Sequence, residues 1–352
     1  MKALVIGGGS IGSRHREILG SLTNANGTPV FARVDTVSRH ARETMQSGEP
    51  QHGKYFRVLE ELSDESGETN LSNYDYFIIA SETTRHLEQF LYLSERVTAK
   101  RILIEKPVFD SESDSKQRIA ELSETLHDAA RKNQVCVAYN LRFHPIIKKL
   151  YELLSFESKG NEYPSGRLLS FSVYVGQYLP DWRPTRDYRV TYSAKKSEGG
   201  GVLLDLSHEI DYLQLVCGKI SQATGFVGRV SDLEIDTEDL ALFSGITERG
   251  VAFQVGLDYL SRHPVRKILA HASLCTFEAD LIAQKLWRSD ANGRVEIECN
   301  ESIPIARNFT YTAMHSAMLG LSQNSGVPLC GFSEGLAVLD AIDMIRRGAI
   351  QA

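Results

Sequence analysis

The first residues combine an apolar run, a glycine-rich turn and a helix-like segment, and this order restricts the fold more than any other feature. Residues 3–6 run directly into Gly7-Gly8-Gly9-Ser10-Ile11-Gly12, a G-x-G-x-x-G pattern. Gly7 permits a tight turn, Gly9 leaves room for a pyrophosphate, and Gly12 lets the helix pack closely on the strand. The N-terminus of that helix attracts phosphate groups. We therefore expect a dinucleotide to contact Gly7, Gly9, Ser10, Ile11 and Gly12.

The rest of the N-terminal region alternates apolar runs with helical stretches. Apolar runs lie at residues 30–37, 76–80, 101–105 and 135–139, and helical stretches include 14–22 and 111–132. Continuous apolar runs are typical of parallel strands that are buried on both faces. The alternation predicts an α/β fold in which residues 1–140 form a doubly wound parallel Rossmann sheet. The polar stretch 63–72 is interpreted as a loop.

After residue 140 the pattern changes to longer β-type runs. They lie at residues 167–177, 223–230, 241–246, 251–259, 267–272 and 276–281. Short turns such as 248–250 separate some of them, which favours an open, largely antiparallel sheet. We predict that residues 141–330 form this α/β substrate and oligomerisation domain, with one helix over about 201–216. Residues 331–352 are predicted to form a C-terminal helix that could pack back on the N-terminal domain.

Length and charge exclude several classes of protein. A chain of 352 residues exceeds the size of a single small core. Lys and Arg number 39 against 45 Asp and Glu, and the resulting charge of −6 disfavours nucleic acid as a partner. Five scattered cysteines without C-x-x-C spacing indicate neither a disulfide framework nor a thiolate zinc site. No export signal or membrane span is indicated, so we expect a cytoplasmic protein. We also expect no metal site.

The choice between NAD and NADP rests on the residues after the second apolar run. An acid about 20 residues beyond the glycines usually binds the ribose 2′-OH of NAD. Asp35 occupies a suitable position, although it could equally be a solvent-facing strand residue. If the strand ends later, Ser38 and Arg39 stand there instead, and they would suit the 2′-phosphate of NADP. Both interpretations remain open at this point.

Two further motifs carry polar side chains with chemical potential. Glu105-Lys106-Pro107 follows a predicted parallel strand, and ligands of such sheets lie beyond the carboxyl ends of the strands. A glycine run at 199–201 opens a helix on which Asp205 and His208, three residues apart, would share a face. Asp205 lies among apolar residues, where an unpaired carboxylate would be costly. It therefore needs a partner, and His208 or Lys106 would serve.

Four segments together resemble the Gfo/Idh/MocA oxidoreductases, the glucose-fructose oxidoreductase and inositol dehydrogenase family. They are GGGSIG, Glu105-Lys106-Pro107, Asn140-Leu-Arg-Phe-His-Pro145 and GGGVLLDLSHEID at 199–211. The resemblance covers essentially the whole chain in the right order. It implies a Rossmann domain and an α/β domain with an open mixed sheet, with NAD or NADP chemistry on sugars or polyols. It also implies a homo-oligomer, a dimer or tetramer formed through the C-terminal sheet.

The resemblance also assigns site residues. Lys106 matches the lysine of the E-K-P motif, Asp205 the aspartate after the glycine run, and His208 the catalytic histidine. The Asp-to-His spacing here is three, whereas relatives commonly have one more residue between them. Residues 80–86 resemble a loop that meets the cofactor, although a helix N-cap is an equal account of Ser81 or Thr83. The implied cofactor contacts outside the glycine turn are Ser38, Arg39, Ala80, Ser81, Thr83, His86, Glu105 and Lys106.

Hydride transfer explains why these residue types would be needed. A carbinol carbon gives up hydride only as its hydroxyl loses a proton, so a base must touch that oxygen. His208 would be this acid–base group, Lys106 would stabilise negative charge on the oxygen, and Asp205 would orient them. A non-catalytic NAD(P)- or sugar-sensing regulatory protein of the same fold is the alternative.

Arginines and a tryptophan before the glycine run suggest the substrate. They are Trp182, Arg183, Arg186 and Arg189, and Arg142 stands in the Asn-Leu-Arg-Phe motif. Arginine binds carboxylate and phosphate with paired hydrogen bonds, although these residues could equally form structural ion pairs. The segment also resembles a family branch that acts on bacterial surface-polysaccharide sugars, which favours a nucleotide-activated or acidic sugar. Tyr311 and His315 could face the site, but core packing is the favoured interpretation.

Overall fold

A computed structural model describes residues 1–39, 53–62, 70–111, 113–155, 165–299, 306–322 and 326–351. The described residues fall into two compact units. The first unit takes those within Met1–Asn140, Asn308–Ser325 and Leu329–Gly335, and the second those within Leu141–Arg307, Gly326–Pro328 and Leu336–Ala352. Most of the predicted loop at 63–72, namely residues 63–69, lies outside the described residues.

The described residues contain sixteen β-strands. They are β1 (Lys2–Ile6), β2 (Arg33–Val37), β3 (Tyr55–Phe56), β4 (Tyr76–Ile79), β5 (Arg101–Ile104), β6 (Gln134–Val137), β7 (Leu168–Gly176), β8 (Ile220–Gly228), β9 (Leu240–Thr247), β10 (Ala252–Asp258), β11 (Val265–Ala272), β12 (Thr276–Asp280), β13 (Lys285–Asp290), β14 (Gly293–Glu296), β15 (Cys330–Gly331) and β16 (Ala349–Gln351).

The same residues contain nine α-helices, with short 3₁₀ turns between some of them. The helices are α1 (Ser10–Ser21), α2 (His86–Ser94), α3 (Ser113–Glu121), α4 (Ser123–Lys132), α5 (Pro145–Leu154), α6 (Val202–Asp205), α7 (His208–Cys217), α8 (Phe309–Met318) and α9 (Phe332–Gly348).

The first unit is built on a seven-stranded sheet in the order β15-β6-β5-β4-β1-β2-β3. Strands β1 to β6 pair in parallel, and β15 joins the β6 edge antiparallel. The parallel order 3-2-1-4-5-6 is that of the Rossmann fold. Strands β1, β4 and β5 are apolar and almost completely buried, as central strands covered on both faces must be. The predicted fold class is confirmed for this unit.

The division of the chain differs from the predicted one, because a C-terminal segment returns to the first unit. β15 pairs with β6, and the Asn140 side chain donates to the Thr310 hydroxyl over 2.6 Å. Arg101 donates to the Met318 carbonyl oxygen. Residues 308–325 and 329–335 therefore belong to the first unit instead of the predicted domains 141–330 and 331–352. Interactions between residues so far apart leave no local signal in the sequence.

The rest of the C-terminus belongs to the second unit. β16 pairs in parallel with β8, and the Thr224 hydroxyl donates to the Gly348 carbonyl oxygen over 2.8 Å. From Leu336 onward α9 is therefore part of the second unit, whereas its start up to Gly335 belongs to the first. There Phe332 stacks on Phe90 with ring centroids 5.3 Å apart.

The second unit is built on a nine-stranded sheet in the order β14-β13-β12-β11-β7-β10-β9-β8-β16. Its neighbours are antiparallel except for the pairs β7/β10 and β8/β16. Alternating side chains on β7 are buried, such as Phe171 and Val173, while Tyr174 on the other face is exposed. Helices α5 and α7 pack on each other, and α7 packs on β7. The predicted largely antiparallel sheet is confirmed, and β7 carries α7 on its buried face.

Candidate active site

The glycine turn of the first unit is determined by close backbone contacts. Gly7 has φ +125°, and a Cβ there would lie 2.2 Å from the Ala80 carbonyl oxygen. A Cβ at Gly12 would lie 2.0 Å from the Gly7 carbonyl oxygen. One at Gly8 would lie 2.2 Å from the Ser38 hydroxyl. The turn between β1 and α1 therefore requires glycine at these three positions for its own packing.

Gly9 is different, because the fold itself does not require a glycine there. Its φ of −72° is ordinary for any residue, and nothing lies within 4 Å of the position that a Cβ would take. Gly9 immediately precedes α1, whose first residue, Ser10, is exposed and whose second, Ile11, is half-buried. Open space beside free helical N–H groups fits a pyrophosphate, so these residues fit a dinucleotide.

The end of β2 distinguishes the two interpretations of the ribose site. Asp35 lies inside β2 and is fully buried. Its carboxylate accepts hydrogen bonds from Arg33 (2.8 Å), the Tyr74 hydroxyl (2.5 Å) and the Lys54 backbone N–H (2.6 Å). Asp35 is thus committed to the core and does not face solvent, and the residues that follow the strand are Ser38 and Arg39. Ser38 lies beside Gly8, and the exposed Arg39 forms an ion pair with Glu82.

His86 holds together the loops that follow β4 and β5. Its ring nitrogens lie 3.2 Å from the carbonyl oxygens of Pro107, Val108 and Ser81, and its burial lowers the pKa of the imidazole. The ring is thus occupied by backbone, although the sequence analysis places it among the cofactor contacts.

The two residues proposed as alternative helix caps have other positions. The Ser81 hydroxyl donates to Gln89 over 2.7 Å, and Thr83 begins a 3₁₀ turn whose preceding residue, Glu82, makes no side-chain cap bond. Neither Ser81 nor Thr83 is therefore a helix N-cap. Both remain predicted cofactor contacts, together with Ala80, which follows β4 and lies against Gly7.

Glu105 directly follows β5 and is almost completely buried. One carboxylate oxygen lies 2.8 Å from His15 Nε2, and the other accepts the Lys106 backbone N–H over 3.1 Å. His15 in turn lies 2.8 Å from His315, which is 300 residues away in the sequence. Lys106 is half-buried and follows this anchored carboxylate. Glu105 thereby holds the backbone of the E-K-P motif.

In the second unit the predicted single helix is two helices. At Leu206 the backbone (φ −100°, ψ 29°) leaves helical geometry, and the Glu209 N–H bonds to the Leu206 carbonyl oxygen three residues back. Asp205 therefore ends α6 and His208 begins α7. The two side chains do not share a face of one helix, contrary to the prediction.

Two buried ion pairs fix the first turn of α7. Asp211 accepts two hydrogen bonds from Arg142 Nε, at 2.9 and 3.1 Å, and one from Nη2 at 2.6 Å, with both side chains about 2% exposed. Glu209 is fully buried and pairs with Arg266 at 2.9 Å. His208 is half-buried, unlike the four residues that follow it. Arg142 was predicted to bind substrate, but its buried guanidinium group is paired with Asp211.

Aromatic side chains surround Asp205. The buried Tyr259 hydroxyl donates to its carboxylate over 2.7 Å, and Trp182 packs edge-on against the Tyr259 ring at 5.2 Å. The Asp205 charge also raises the pKa of Tyr192, which is 40% exposed. Arg183 lies over the Tyr192 ring. The structure therefore brings Asp205, Trp182 and Arg183 into one cluster, and Tyr259 supplies a hydrogen bond to the carboxylate.

The remaining predicted arginines differ in their engagement. Arg189 pairs with Asp187 and Glu234, both at 2.9 Å. Arg183 and Arg186 are exposed and form no ion pair with any described residue. Of the four arginines predicted to bind an anion, only these two present a guanidinium group that is not already paired.

Four residues of these clusters were not predicted from the sequence. They are His15, Tyr76, Tyr192 and Tyr259. His15 could have been recognised, because Gly12, His15, Ile18 and Leu19 recur with helical spacing and all lie on the buried side of α1. The tyrosines carry no such signal.

The C-terminal unit matches a known domain. Residues 164–276 match the family described as GFO/IDH/MocA C-terminal domain. This segment of the second unit is therefore similar to a GFO/IDH/MocA C-terminal domain. The resemblance predicted from the sequence motifs is thereby confirmed, and α7 and the Glu209–Arg266 pair lie within this matched segment. No curated protein sequence matches the chain significantly.

Solved structures match nearly the whole chain. UDP-N-acetylglucosamine 3-dehydrogenase from Acidithiobacillus ferrooxidans is 16% identical with a TM-score of 0.71, over 99% of this chain and 97% of that one. Levoglucosan dehydrogenase in complex with NADH and L-sorbose is 17% identical with a TM-score of 0.77, over 99% and 96%. An oxidoreductase from Agrobacterium radiobacter in complex with NAD⁺, L-tartaric acid and magnesium is 16% identical with a TM-score of 0.74, over 99% and 96%. At these identities the comparison shows that this chain shares its fold with these proteins.

The described ranges contain neither a membrane-spanning helix nor a group of metal ligands. No helix there has the length and apolar character needed to cross a membrane. In the same residues, no three His, Cys, Asp or Glu side chains are grouped so that they could hold a metal ion.

Two arginines test the distinction between structural and exposed positions. We expect Arg142→Ala to lower the free energy of unfolding by about 3–5 kcal/mol, because it leaves the Asp211 carboxylate buried and unpaired. The matched variant Arg186→Ala should stay within about 0.5 kcal/mol of the wild type. Urea unfolding followed by circular dichroism measures both. Equal stability of the two variants would show that the Arg142–Asp211 pair does not hold α7.

Proposed function

We propose that the protein is an NAD(P)-dependent oxidoreductase that moves a hydride to or from a carbinol or keto carbon of a sugar. The observation that carries the proposal is the open space at Gly9, because a merely structural turn would not need a glycine there. Two of the similar structures support the proposal, since one is a UDP-N-acetylglucosamine dehydrogenase and the other a levoglucosan dehydrogenase. When bound, the nicotinamide accepts or supplies the hydride.

His208 is proposed to take the hydroxyl proton of the substrate. Imidazole titrates near neutral pH and can exchange a proton with an alcohol oxygen in either direction. The ion pairs of Glu209 and Asp211 hold the backbone on which this ring stands. An acid–base group on an immobilised helix keeps its position through the reaction, which lowers the entropic cost of proton transfer.

Lys106 and Asp205 are proposed to assist His208. The Lys106 ammonium group would stabilise negative charge on the substrate oxygen as its proton leaves. Asp205 keeps its carboxylate in place through the Tyr259 hydrogen bond and would orient the hydroxyl of the sugar. These roles follow from the motif match, and each residue contributes a different part of the chemistry.

An anionic sugar is the proposed substrate class. Arg183 and Arg186 are exposed, and Arg183 stands beside the cluster around Asp205. Guanidinium groups bind phosphate or carboxylate through paired hydrogen bonds. A nucleotide-activated sugar or a sugar acid, as in polysaccharide or sialic-acid-like sugar biosynthesis, would satisfy them.

The second sheet is proposed to form the contact between copies in a homo-oligomer. Tyr174 on β7 and Leu242 on β9 are both exposed and both lie opposite Gly256 on β10. Ile246 extends the same face along β9. Contiguous exposed apolar side chains on one sheet face are typical of a protein interface.

Two substitutions test the catalytic assignment. His208→Asn and Lys106→Met should lower turnover by about 10²-fold or more, since each removes a group that acts on the reacting oxygen. The melting temperature should stay unchanged in both variants, and His208→Asn should keep the dinucleotide affinity of the wild type. Turnover is measured as NAD(P)H absorbance with neutral sugars, nucleotide sugars and sugar acids. The exposed His263 and Lys132 supply the controls His263→Asn and Lys132→Met.

The outcomes of this assay separate the possible functions. Wild-type turnover in either variant would remove that residue from the mechanism. A wild-type protein that binds dinucleotide but oxidises or reduces no compound would instead be a sensor of the same fold.

Arg39 is proposed to recognise the 2′-phosphate of NADP, because Ser38 and Arg39 follow β2 and Asp35 is committed to the core. Arg39→Ala should raise the KM for NADPH by about tenfold and leave the KM for NADH unchanged, as loss of a charge-assisted contact would. Glu82→Gln frees Arg39 from its ion pair, so this variant should not raise the KM for NADPH. Equal effects of Arg39→Ala on both dinucleotides would contradict the assignment.

A further inference from the structure

Four buried polar side chains form a continuous chain through the core of the first unit. The Tyr76 hydroxyl lies 2.8 Å from His315 Nδ1, His315 Nε2 lies 2.8 Å from His15 Nδ1, and His15 Nε2 lies 2.8 Å from Glu105 Oε1. Tyr76, His15 and His315 are fully buried, and Glu105 is 6% exposed. The residues come from β4, α8, α1 and the end of β5. Tyr76, His15 and His315 have no role in the chemistry described above.

The hydrogen bonds of this chain have one consistent direction. A carboxylate only accepts, so His15 donates from Nε2 to Glu105. If Nε2 carries the only ring hydrogen of His15, its Nδ1 accepts from His315 Nε2–H, and His315 accepts at Nδ1 from the Tyr76 hydroxyl. Burial, and next the nearby His15, lowers the pKa of His315, while burial raises the pKa of Tyr76. Both groups are therefore neutral, as this direction requires.

The chain ends at the backbone of Lys106. Glu105 Oε1 is held by His15, and Oε2 accepts the Lys106 N–H over 3.1 Å. The carboxylate thus connects a rigid core network with the residue whose ammonium group is needed for the reaction. Tyr76, at the other end, is fully buried, so the network has no route to solvent through that residue. Its geometry suits a support for the carboxylate and not a proton path.

We propose that His15 and His315 are positioning residues, which hold the Glu105 carboxylate and through it the backbone of Lys106. This inference rests on the proposed function of Lys106. It also explains why α8 belongs to the first unit, because α8 supplies His315. The proposal commits to one tautomer for both rings, with hydrogen on Nε2.

The kinetic test uses three variants on α8. His315→Leu removes both hydrogen bonds of the ring and should lower kcat by about tenfold or more, with the KM for dinucleotide within about twofold. His315→Gln supplies an amide N–H toward His15 and a carbonyl oxygen toward Tyr76, so it should recover most of that loss. Met314 is a buried neighbour that takes no part in these hydrogen bonds. Met314→Ala therefore controls for lost stability and should keep kcat within about twofold.

A merely structural role of His315 gives a different pattern. His315→Leu and Met314→Ala would then affect kcat in proportion to their loss of stability, and His315→Gln would not recover turnover. That pattern overturns the proposal.

A spectroscopic test does not depend on turnover. In ¹⁵N-histidine NMR spectra at pH 7, His15 and His315 should both be Nε2–H tautomers. Other titratable groups that face the chain are Arg101 and Cys136 near Tyr76, and Tyr311 with Arg14 near His15. An Nδ1–H tautomer or a protonated ring at either histidine would overturn the proposed direction.

The Lys106 backbone amide reports the positioning itself. Its chemical shift should move in His315→Leu and stay close to wild type in His315→Gln and Met314→Ala. If all three variants leave this amide unchanged, the proposal is wrong even if Lys106 is catalytic. If the amide moves as expected but no sugar is turned over, the network stands and the proposed function fails.

Discussion

Arg142 and Asp211 form a buried ion pair with three hydrogen bonds, and the place of α7 depends on it. The pair joins the segment after β6 to the first turn of the helix 69 residues later. Glu209 and Arg266 add a second pair in the same turn. A buried charge is tolerated only with a well-placed partner, so the helix takes a position in which both carboxylates are paired with arginine. His208 stands on that helix and inherits its rigidity.

The first unit uses buried carboxylates in the same way. Asp35, which lies in β2, accepts hydrogen bonds from three residues. Glu105 accepts hydrogen bonds from His15 and from the backbone N–H of Lys106. Hydrogen bonds to a buried anion are strong and leave it little freedom, so each carboxylate fixes the chain around it. Glu105 fixes the residue before Lys106. The side chains proposed to react thus differ from the buried ones that hold their backbone in place.

The sequence predicts features that depend on neighbouring residues. The glycine turn, the parallel strands of the first unit and most strands of the second sheet follow from local patterns of glycine and apolar residues. The break at Leu206 was missed because an apolar run does not show where a helix changes its hydrogen bonding. Strands β13 and β14 were missed because both are mostly polar, β13 being largely half-buried and β14 exposed.

Long-range pairing explains the errors in the site. The residue type alone does not show whether an arginine pairs with a substrate or with a buried carboxylate. Arg142 was therefore assigned to the substrate, although it pairs with Asp211. His15 and His315 are 300 residues apart, and their contact could not be inferred from either segment. The sequence left open whether Asp35 or Ser38 and Arg39 stand at the ribose, because it does not show that Asp35 is buried. The confirmed parts are the fold class and the resemblance of the C-terminal domain, whereas the assigned chemistry is a proposal.

The central claim is that open space at Gly9 receives the pyrophosphate of a nicotinamide dinucleotide, and Gly9→Asp tests it directly. Aspartate is favoured at a helix N-cap, so the variant should melt at or above the wild-type temperature. Its carboxylate would occupy and repel the pyrophosphate site. Calorimetric titration with NADH and NADPH should show wild-type binding and at least about tenfold weaker affinity in the variant, or about 1.4 kcal/mol. Equal affinity in both proteins, or no binding by the wild type, would contradict the account.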